Sequence, residues 1–338
     1  MGKFHFVYSN RIAKFLAIII TLVLVTILLT QISPDDIIIL FIRINPLYLC
    51  TGFILYLGTQ FLRTWRFHLL LNREVSIKKL FPVECIHVML VNLLPARTGE
   101  LSYVYFLKTE FEKTTGEGLA TLIISRILDC IIVAVSFILF YFLIKEMPLV
   151  FHNIIIISMV LLIILMLVLG MLLFFGNKCL NLLKKTATFI NYDKINLGDY
   201  IIKKGEETID SIEKFKTDKR GLPFSVILIT IGIGLTTYIF FLLLAMGINI
   251  HLLPLQILFA SSFAMFTFMI PIQGIGGFGT TEGGWALGFI AVGLPSEMAI
   301  SSGFVFHIVN LLFAMILGIF GYFTLRFSKL FPHTGADI

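Results

Sequence analysis

Long uncharged apolar blocks, separated by short polar segments, dominate the chain. Phe15 to Thr30 and Leu149 to Gly176 contain no charged residue, and Leu222 to Thr281 runs for sixty residues without one. Apolar runs of about 18 residues or more are typical of bilayer-spanning helices. The pattern predicts six such helices, at about 14–31, 46–68, 118–144, 150–175, 222–245 and 298–325.

Two further apolar stretches are too short or too interrupted to cross a bilayer comfortably. They cover about 79–94 and 253–270, and each leads through a proline, Pro95 or Pro271, into a glycine-containing polar stretch and a second short apolar segment. Proline removes a helical hydrogen bond, glycine tolerates sharp reversals, and irregular backbone inside a membrane persists only where protein or a wet cavity surrounds it. We therefore predict two re-entrant helical hairpins, 79–110 and 253–293.

The basic residues of the loops test this topology. If the N-terminus is cytoplasmic, the inner segments contain twenty Lys and Arg residues, whereas the outer segments contain only Arg43 and Lys145. Such a bias follows the positive-inside rule, and it is present only if neither hairpin crosses the membrane. We expect a multi-pass protein of the cell (plasma) membrane with both termini in the cytoplasm. The inner segments are 1–14, 63–79, 176–221 and 326–338.

The two hairpins divide the chain into an inverted repeat. The N-terminal membrane half is 1–175 and the C-terminal half is 222–338, and 176–221 is predicted to be a cytoplasmic linker with an amphipathic helix on the inner membrane surface. Matched broken segments in two oppositely oriented halves indicate a transporter's binding site at the midplane. The alternative is that two glycine-proline loops coincide by chance in an apolar protein. The fold class is an all-α polytopic membrane protein.

Composition agrees with this class and narrows the chemistry. Hydrophobic residues make up 58% of the 338 positions and charged residues 14%, against ~25% charged in soluble domains, which excludes a soluble globular protein. The net charge of +6 belongs to loops that face anionic head groups, so no nucleic-acid partner is expected. The four cysteines show no metal or redox spacing, and we expect no cofactor and no metal. No catalytic residue stands out.

Charged side chains within the apolar segments are the candidates for function, because burying a charge in a membrane is costly. We predict that they surround one polar cavity in which Arg97 and Arg126 clamp a phosphate, while the carboxylates hold the arginines or carry a proton. The alternative is a set of structural ion pairs, Arg126 with Asp129 and Arg97 with Glu100 or Glu282. The candidates are Arg97, Glu100, Arg126, Asp129 and Glu282.

Other polar residues receive more ordinary interpretations. Arg63, Trp65 and Arg66 at the end of the second predicted span are typical of an interfacial anchor. Two pairs share a helix face, and they favour polar contacts between packed helices over a proton relay. These pairs are Glu84 with His87 and His307 with Asn310.

Three ordered motifs are similar to those of a known family. P-x-R-x-G-E comprises Pro95, Arg97, Gly99 and Glu100, R-x-x-D comprises Arg126 and Asp129, and P-x4-G-G-x-G-x-x-E comprises Pro271, Gly276, Gly277, Gly279 and Glu282. Over about residues 10–328 the chain resembles the transmembrane flippase-like domain of bacterial lysylphosphatidylglycerol synthases. Ser125 and Tyr103 stand where acidic and basic residues often occur in that family.

The resemblance implies movement of lipid, and we expect no lysylation because no aminoacyl-transferase domain follows the last predicted span. The leading hypothesis is a flippase-like transporter for an anionic phospholipid or a polyprenyl-phosphate-linked lipid. Its partners would be those membrane lipids and a glycosyltransferase or lipid-modifying enzyme. Two alternatives stay open: an integral-membrane enzyme acting on a lipid phosphate, and an accessory membrane subunit of a glycosyltransferase system.

Overall fold

All regular secondary structure in the described part of the chain is helical. The computed structural model describes residues 22–23, 25–31, 33–144, 149–189, 196–217, 222–269 and 273–330. The predicted all-α class is confirmed. The helices are α1 (Pro34–Ile42), α2 (Pro46–Leu70), α3 (Ile77–Leu93), α4 (Glu100–Phe111), α5 (Thr115–Leu143), α6 (Leu149–Phe189), α7 (Asn196–Thr217), α8 (Leu222–Gly247), α9 (Pro254–Thr267), α10 (Thr280–Ala291) and α11 (Ser296–Leu330).

Three helices among the described residues are long and apolar enough to cross a membrane. They are Thr115–Leu143 in α5, Phe224–Gly247 in α8 and Ser296–Phe327 in α11. The helices α1 and α2 meet at a bend of 85° and together make a fourth candidate. The protein is therefore a multi-pass membrane protein, whereas six spans stay a prediction. Half of the predicted span 14–31 lies outside the described residues.

The first hairpin consists of α3, a short 3-10 turn at Pro95–Arg97, and α4. Leu94 is extended (ψ 140°), as expected of a residue before proline, so α3 ends there. Its two arms approach closely because Gly99 has no side chain: a Cβ there would lie 2.2 Å from the carbonyl oxygen of Leu90. The helix break predicted at Pro95 is present, and re-entrance of the hairpin stays a prediction.

The second hairpin consists of α9, a 3-10 turn at Ile275–Gly277, and α10. Gly276, Gly277 and Gly279 have φ values of 62°, 76° and 84°, a left-handed backbone that other residues rarely adopt. A Cβ at Gly288 would lie 2.2 Å from the carbonyl oxygen of Ala260, so the arms of this hairpin also touch through backbone. The predicted break at Pro271 lies outside the described residues.

The two halves interlock through their matching elements. Helix α2 packs along α8, helix α3 packs along α11, and the two 3-10 turns contact each other. Two glycines of α11 allow the close approach to α3: a Cβ at Gly321 would lie 2.4 Å from the carbonyl oxygen of Pro82, and one at Gly318 would lie 2.3 Å from the Met89 sulfur. The hairpin tips therefore meet between the two halves.

The loop between α2 and α3 meets the start of α5 at one end of the molecule. The Lys113 ammonium forms ion pairs with Glu74 and Glu117, which joins the α2–α3 loop to the start of α5. At the opposite end, the amide of Asn45 donates to the Gly247 carbonyl at 3.3 Å, where α2 begins and α8 ends. The loop-charge topology, including the side of the membrane that each end faces, stays a prediction, and the predicted inner segment 1–14 lies outside the described residues.

The linker contains the predicted helix, α7, and part of its apolar face packs against protein. Helix α7 packs against α5 and α6, and Ile212 on its apolar face is 2% exposed. A Cβ at Gly116 of α5 would lie 2.4 Å from the Glu207 backbone, so these two helices touch through backbone. Ile202 and Ile209 on the same face are only partly buried, so the position of this helix on the inner membrane surface stays a prediction.

Candidate functional site

A cavity of about 110 Å³ lies where the first hairpin meets the helices of both halves. Residues of α2, α3, α5, α8, α9, α11 and the Pro95–Arg97 turn line it. Its lining includes three arginines and three side-chain amides and no Asp or Glu among the described residues. These six residues are Arg63, Arg97, Arg126, Gln60, Asn92 and Asn310.

Helix α2 contributes a continuous stripe to the wall of this cavity. Thr59 and Gln60 each lie three or four residues from both Tyr56 and Arg63, so these four residues share one face of the helix. Gln60 is 2% exposed, and its Oε1 has no hydrogen-bond partner among the described residues. A buried amide without a partner is energetically unfavourable unless a ligand or water supplies one.

Two of the arginines share one carboxylate. Arg97 Nη1 donates to Glu100 Oε1 at 2.9 Å, and Arg126 Nη2 donates to the same oxygen at 2.6 Å. The Arg97 backbone is left-handed, with φ 54°, which is unfavourable for a bulky residue and sets where its side chain emerges from the turn. One acidic group thus balances two basic groups, and this part of the site has a net positive charge.

The third arginine, Arg63, forms no ion pair within the described residues, and its Nε is buried without a hydrogen-bond partner. The interfacial-anchor interpretation of Arg63 and Arg66 is wrong, since Arg63 lines the cavity and Arg66 is 2% exposed. Trp65, the third residue of the predicted interfacial anchor, is 42% exposed, as an anchor at the membrane interface requires.

Asp129 lies apart from the cavity lining and pairs with Arg66. Arg66 Nη1 and Nη2 donate to the two carboxylate oxygens at 2.6 and 3.2 Å, and Nη1 also reaches the Thr230 hydroxyl at 3.4 Å. The alternative in which Asp129 pairs with Arg126 is therefore wrong. Arg126 extends from α5 toward Glu100 of α4, while α2 supplies the guanidinium for Asp129.

Glu282 lies under the second hairpin turn and is fully buried. Its Oε2 accepts from the Gly279 amide at 2.7 Å, which caps α10, and its Oε1 lies 2.6 Å from His307 Nδ1. One helical turn along, Asn310 Nδ2 donates to Asn92 Oδ1 at 3.1 Å and joins α11 to α3. Glu282 therefore lies next to the cavity wall and outside the set of side chains that line it.

Glu84 and His87, which share a face of α3, lie in different surroundings. His87 lines the cavity, and its Nδ1 lies 3.4 Å from the Ser102 hydroxyl of α4, which is the contact between packed helices that its spacing predicts. Glu84 is 2% exposed, and its Oε2 has no hydrogen-bond partner in the described ranges. No group of three or more His, Cys, Asp or Glu residues that could hold a metal ion is found in those ranges.

Sequence reasoning identified Arg97 and Arg126 and missed Gln60, Arg63 and Asn92, which also line the cavity. A signal for the α2 residues was present: polar side chains at intervals of three and four residues inside an apolar span form a stripe that lipid would not tolerate. Asn92 had no such pattern, because it is one polar residue near the end of a short apolar helix.

Comparison with known proteins now adds an independent line of information. No curated protein and no solved structure matches the chain. The sequence profile described as "Lysylphosphatidylglycerol synthase TM region" matches residues 14–318, which is most of the chain and includes every residue that lines the cavity. Its fold, its motifs and this match agree, and the chain belongs to the lysylphosphatidylglycerol synthase TM region family.

Proposed function

We propose that this protein is a flippase-like transporter that moves an anionic phospholipid or a polyprenyl-phosphate-linked lipid between the leaflets of the membrane. Its family ties it to lipid handling. The observation that carries the proposal is the cavity lining, which contains Arg63, Arg97 and Arg126 and no described acidic residue. Guanidinium groups bind phosphate oxygens in a bidentate geometry, so such a lining fits a lipid phosphate.

The position of the cavity supports passage of a head group. Charges inside a membrane protein mark substrate paths, and transporters place their sites where broken helices of two halves meet. Here the lining comes from the first hairpin, from α2 and α5 before the linker, and from α8, α9 and α11 after it. In this proposal the head group passes between the halves 1–175 and 222–338 while the acyl or prenyl tails stay in lipid.

The charge balance supports binding of an anion from outside the protein. Glu100 contacts both Arg97 and Arg126, and Arg63 has no ionic partner within the described residues. A bound phosphate would accept the hydrogen bonds that these arginines do not donate to Glu100. Arg63 is the sharpest point to test, because it forms no ion pair within the described residues and lines the cavity.

The test is Arg63→Gln in proteoliposomes that contain fluorescent anionic lipid, with movement measured by dithionite quenching of the outer leaflet. A hydrogen bond to a charged group contributes ~1.5–3 kcal/mol, so we expect transport to fall roughly ten- to hundredfold. The midpoint of unfolding should stay unchanged. Analysis of the lipid after the assay shows whether it has moved unaltered or has been chemically changed.

The matched control is Arg43→Gln, which removes an exposed arginine at the end of α1 that lines no part of the cavity. We expect this variant to transport like the wild type. Unchanged transport in Arg63→Gln would remove Arg63 from the site, and absence of lipid movement in the wild type would overturn the proposed function.

A further inference from the structure

Glu84 of α3 is a buried acidic residue to which phosphate binding gives no role. It is 2% exposed, its Oε2 has no hydrogen-bond partner, and it forms no ion pair within the described residues. An ionised carboxylate without a partner is costly to bury, and it becomes neutral by binding a proton unless nearby charges hold it ionised. The charges around Glu84 therefore decide whether it carries a proton.

Charged and titratable groups of four helices lie within electrostatic reach of Glu84. Tyr56 and Arg63 are two of them, and both line the cavity, so Glu84 lies directly behind this part of the cavity wall. His87, which also lines the cavity, is three residues along on α3. The full set is Tyr56, Arg63 and Arg66 of α2, Cys85 of α3, Tyr103 of α4, and Arg126 and Asp129 of α5.

The arginines of this region outnumber its acidic groups by one among the described residues. Asp129 balances Arg66, while Glu100 alone balances the two arginines that contact it. Arg63 forms no ion pair there, and Glu84 is the acidic group that faces it. With Glu84 ionised, the four arginines and three carboxylates sum to one positive charge. This surplus favours the ionised form of Glu84 as long as no anion is bound.

A bound anion reverses this preference. A singly charged phosphate at Arg63 cancels the surplus positive charge and repels the carboxylate behind the wall, and such repulsion is strong where water is scarce. Burial then favours the neutral form of Glu84. Because the coupling between two bound ligands is reciprocal, a proton on Glu84 also strengthens the binding of the anion at Arg63.

We propose that Glu84 is the proton-binding site of this transporter, and that its carboxylate takes one proton from water in the cavity when an anionic head group binds at Arg63. This proposal rests on the proposed function and adds a coupling ion to it. The proton and the lipid cross the membrane together, and the only bond that forms and later breaks is the one between the carboxylate and the proton. A difference in pH across the membrane therefore drives the lipid toward the more alkaline side.

The first experiment imposes a pH difference of about one unit across proteoliposomes of the full chain, with the membrane potential clamped by potassium and valinomycin. Fluorescent phosphatidylglycerol is the probe in one arm and a fluorescent polyprenyl phosphohexose in the other, and dithionite quenching gives the final distribution between leaflets. One proton for each singly charged lipid is an electroneutral pair. We therefore expect accumulation of up to about tenfold on the alkaline side in at least one arm, beyond that in protein-free vesicles.

Glu84→Gln keeps the size of the side chain and removes the proton-binding group. It should fold normally, because a neutral amide is less costly to bury than a carboxylate, and it should equilibrate the lipid between leaflets without accumulating it. The matched control is Glu112→Gln, which changes an exposed glutamate at the end of α4. This control should accumulate lipid as the wild type does.

The second experiment measures the proton directly and needs no transport. Dihexanoyl phosphatidylglycerol, or a short-prenyl phosphohexose if only the second arm moves, is added to purified protein in weakly buffered micelles with an indicator dye, over about pH 5–8. We expect the wild type to take up as many as about one proton per chain when the lipid binds. Glu84→Gln should take up none.

Two results for the wild type overturn the inference and leave the proposed function intact: lipid that moves but stays evenly distributed under the pH difference, and lipid binding without proton uptake. Accumulation that persists in Glu84→Gln, or equal proton uptake by both proteins, assigns the proton to another group and also overturns it. Movement of neither lipid by the wild type overturns the proposed function and the inference with it.

Discussion

Arg66 and Asp129 form an ion pair between α2 and α5, and both side chains are largely buried. Neither residue lines the cavity, so we expect the pair to be structural. Removing one partner, as in Asp129→Leu, should destabilise the protein by about 3–5 kcal/mol, since it leaves a buried charge alone. The double change Arg66→Met with Asp129→Leu should restore the midpoint of unfolding in mixed micelles and keep transport.

A second double variant, in an ion pair that includes a cavity arginine, is the control for this prediction. The double variant Arg126→Met with Glu100→Leu removes charge next to the cavity, and its transport should fall even where its stability recovers. A double variant of Arg66 and Asp129 that folds and no longer transports would contradict the structural role and place this pair in the site.

At the scale of single residues, the sequence showed which charges are unusual and not which charges pair. Arg97, Glu100 and Arg126 were identifiable because a charge in an apolar segment needs a reason. The partner of Asp129 was not, because a spacing of three residues places Arg126 on the same face of α5, while the pair that forms joins α5 to α2 across 63 positions. Long side chains reach neighbouring helices, and only the packing decides which one.

Two adjacent glycines of helix α10 should respond in opposite ways to substitution by alanine. A Cβ at Gly284 would lie 2.3 Å from the Thr267 side chain of α9, whereas one at Gly283 meets nothing within 4 Å. Gly284→Ala should therefore destabilise the second hairpin by about 1–3 kcal/mol through overpacking. Gly283→Ala should be neutral or stabilise by up to ~1 kcal/mol, because alanine favours a helix.

Unfolding midpoints of the two variants in mixed micelles, measured by circular dichroism, check this prediction. A third variant, Gly288→Ala, would bring a Cβ against the Ala260 carbonyl and should behave like Gly284→Ala. Equal stability of all three would mean that the arms of the hairpin are not packed as closely as the structure has them.

At the scale of elements, breaks were easier to predict than helix ends. The turn at Pro95 follows from local chemistry, because the residue before a proline leaves the helical region. The end of α6 did not follow: a span was predicted over 150–175, and the helix continues to Phe189 with one non-helical residue, Phe175. The residues after 175 include more polar side chains, but they are compatible with a helix. The change in polarity therefore predicted where the apolar stretch ends and not where the helix ends.

Membrane orientation is the prediction that belongs to the whole molecule. In a variant without the four native cysteines, Lys203→Cys in α7 and His251→Cys after α8 introduce thiols at exposed positions toward opposite ends of the protein. We expect an impermeant maleimide added to sealed cells to label position 251 and not position 203. Labelling of position 203 from outside would contradict the cytoplasmic linker and with it the predicted orientation of both termini.

For the whole molecule, the order of its helices and hairpins along the chain was predictable, but the contacts between those elements were not. Two segments of short helix, turn and short helix, each between long apolar helices, could be anticipated from the prolines and glycines. That α3 of the first hairpin packs along α11, the last helix, could not. Such contacts depend on which helix surfaces fit each other. Here the fit depends on Gly318 and Gly321, and nothing in the neighbouring sequence marks these two glycines as contact positions.

The contact between α3 and α11 also sets an order of events during synthesis. The first hairpin leaves the ribosome long before its partner: the ~200 residues from α4 to α11 take about 10–40 s to translate at ~5–20 residues per second. During that interval the α3 surface around Pro82 and Met89 has no α11 to cover it. The N-terminal half therefore waits in the membrane as an incomplete product, and arrival of the last helix is the event that finishes the first hairpin.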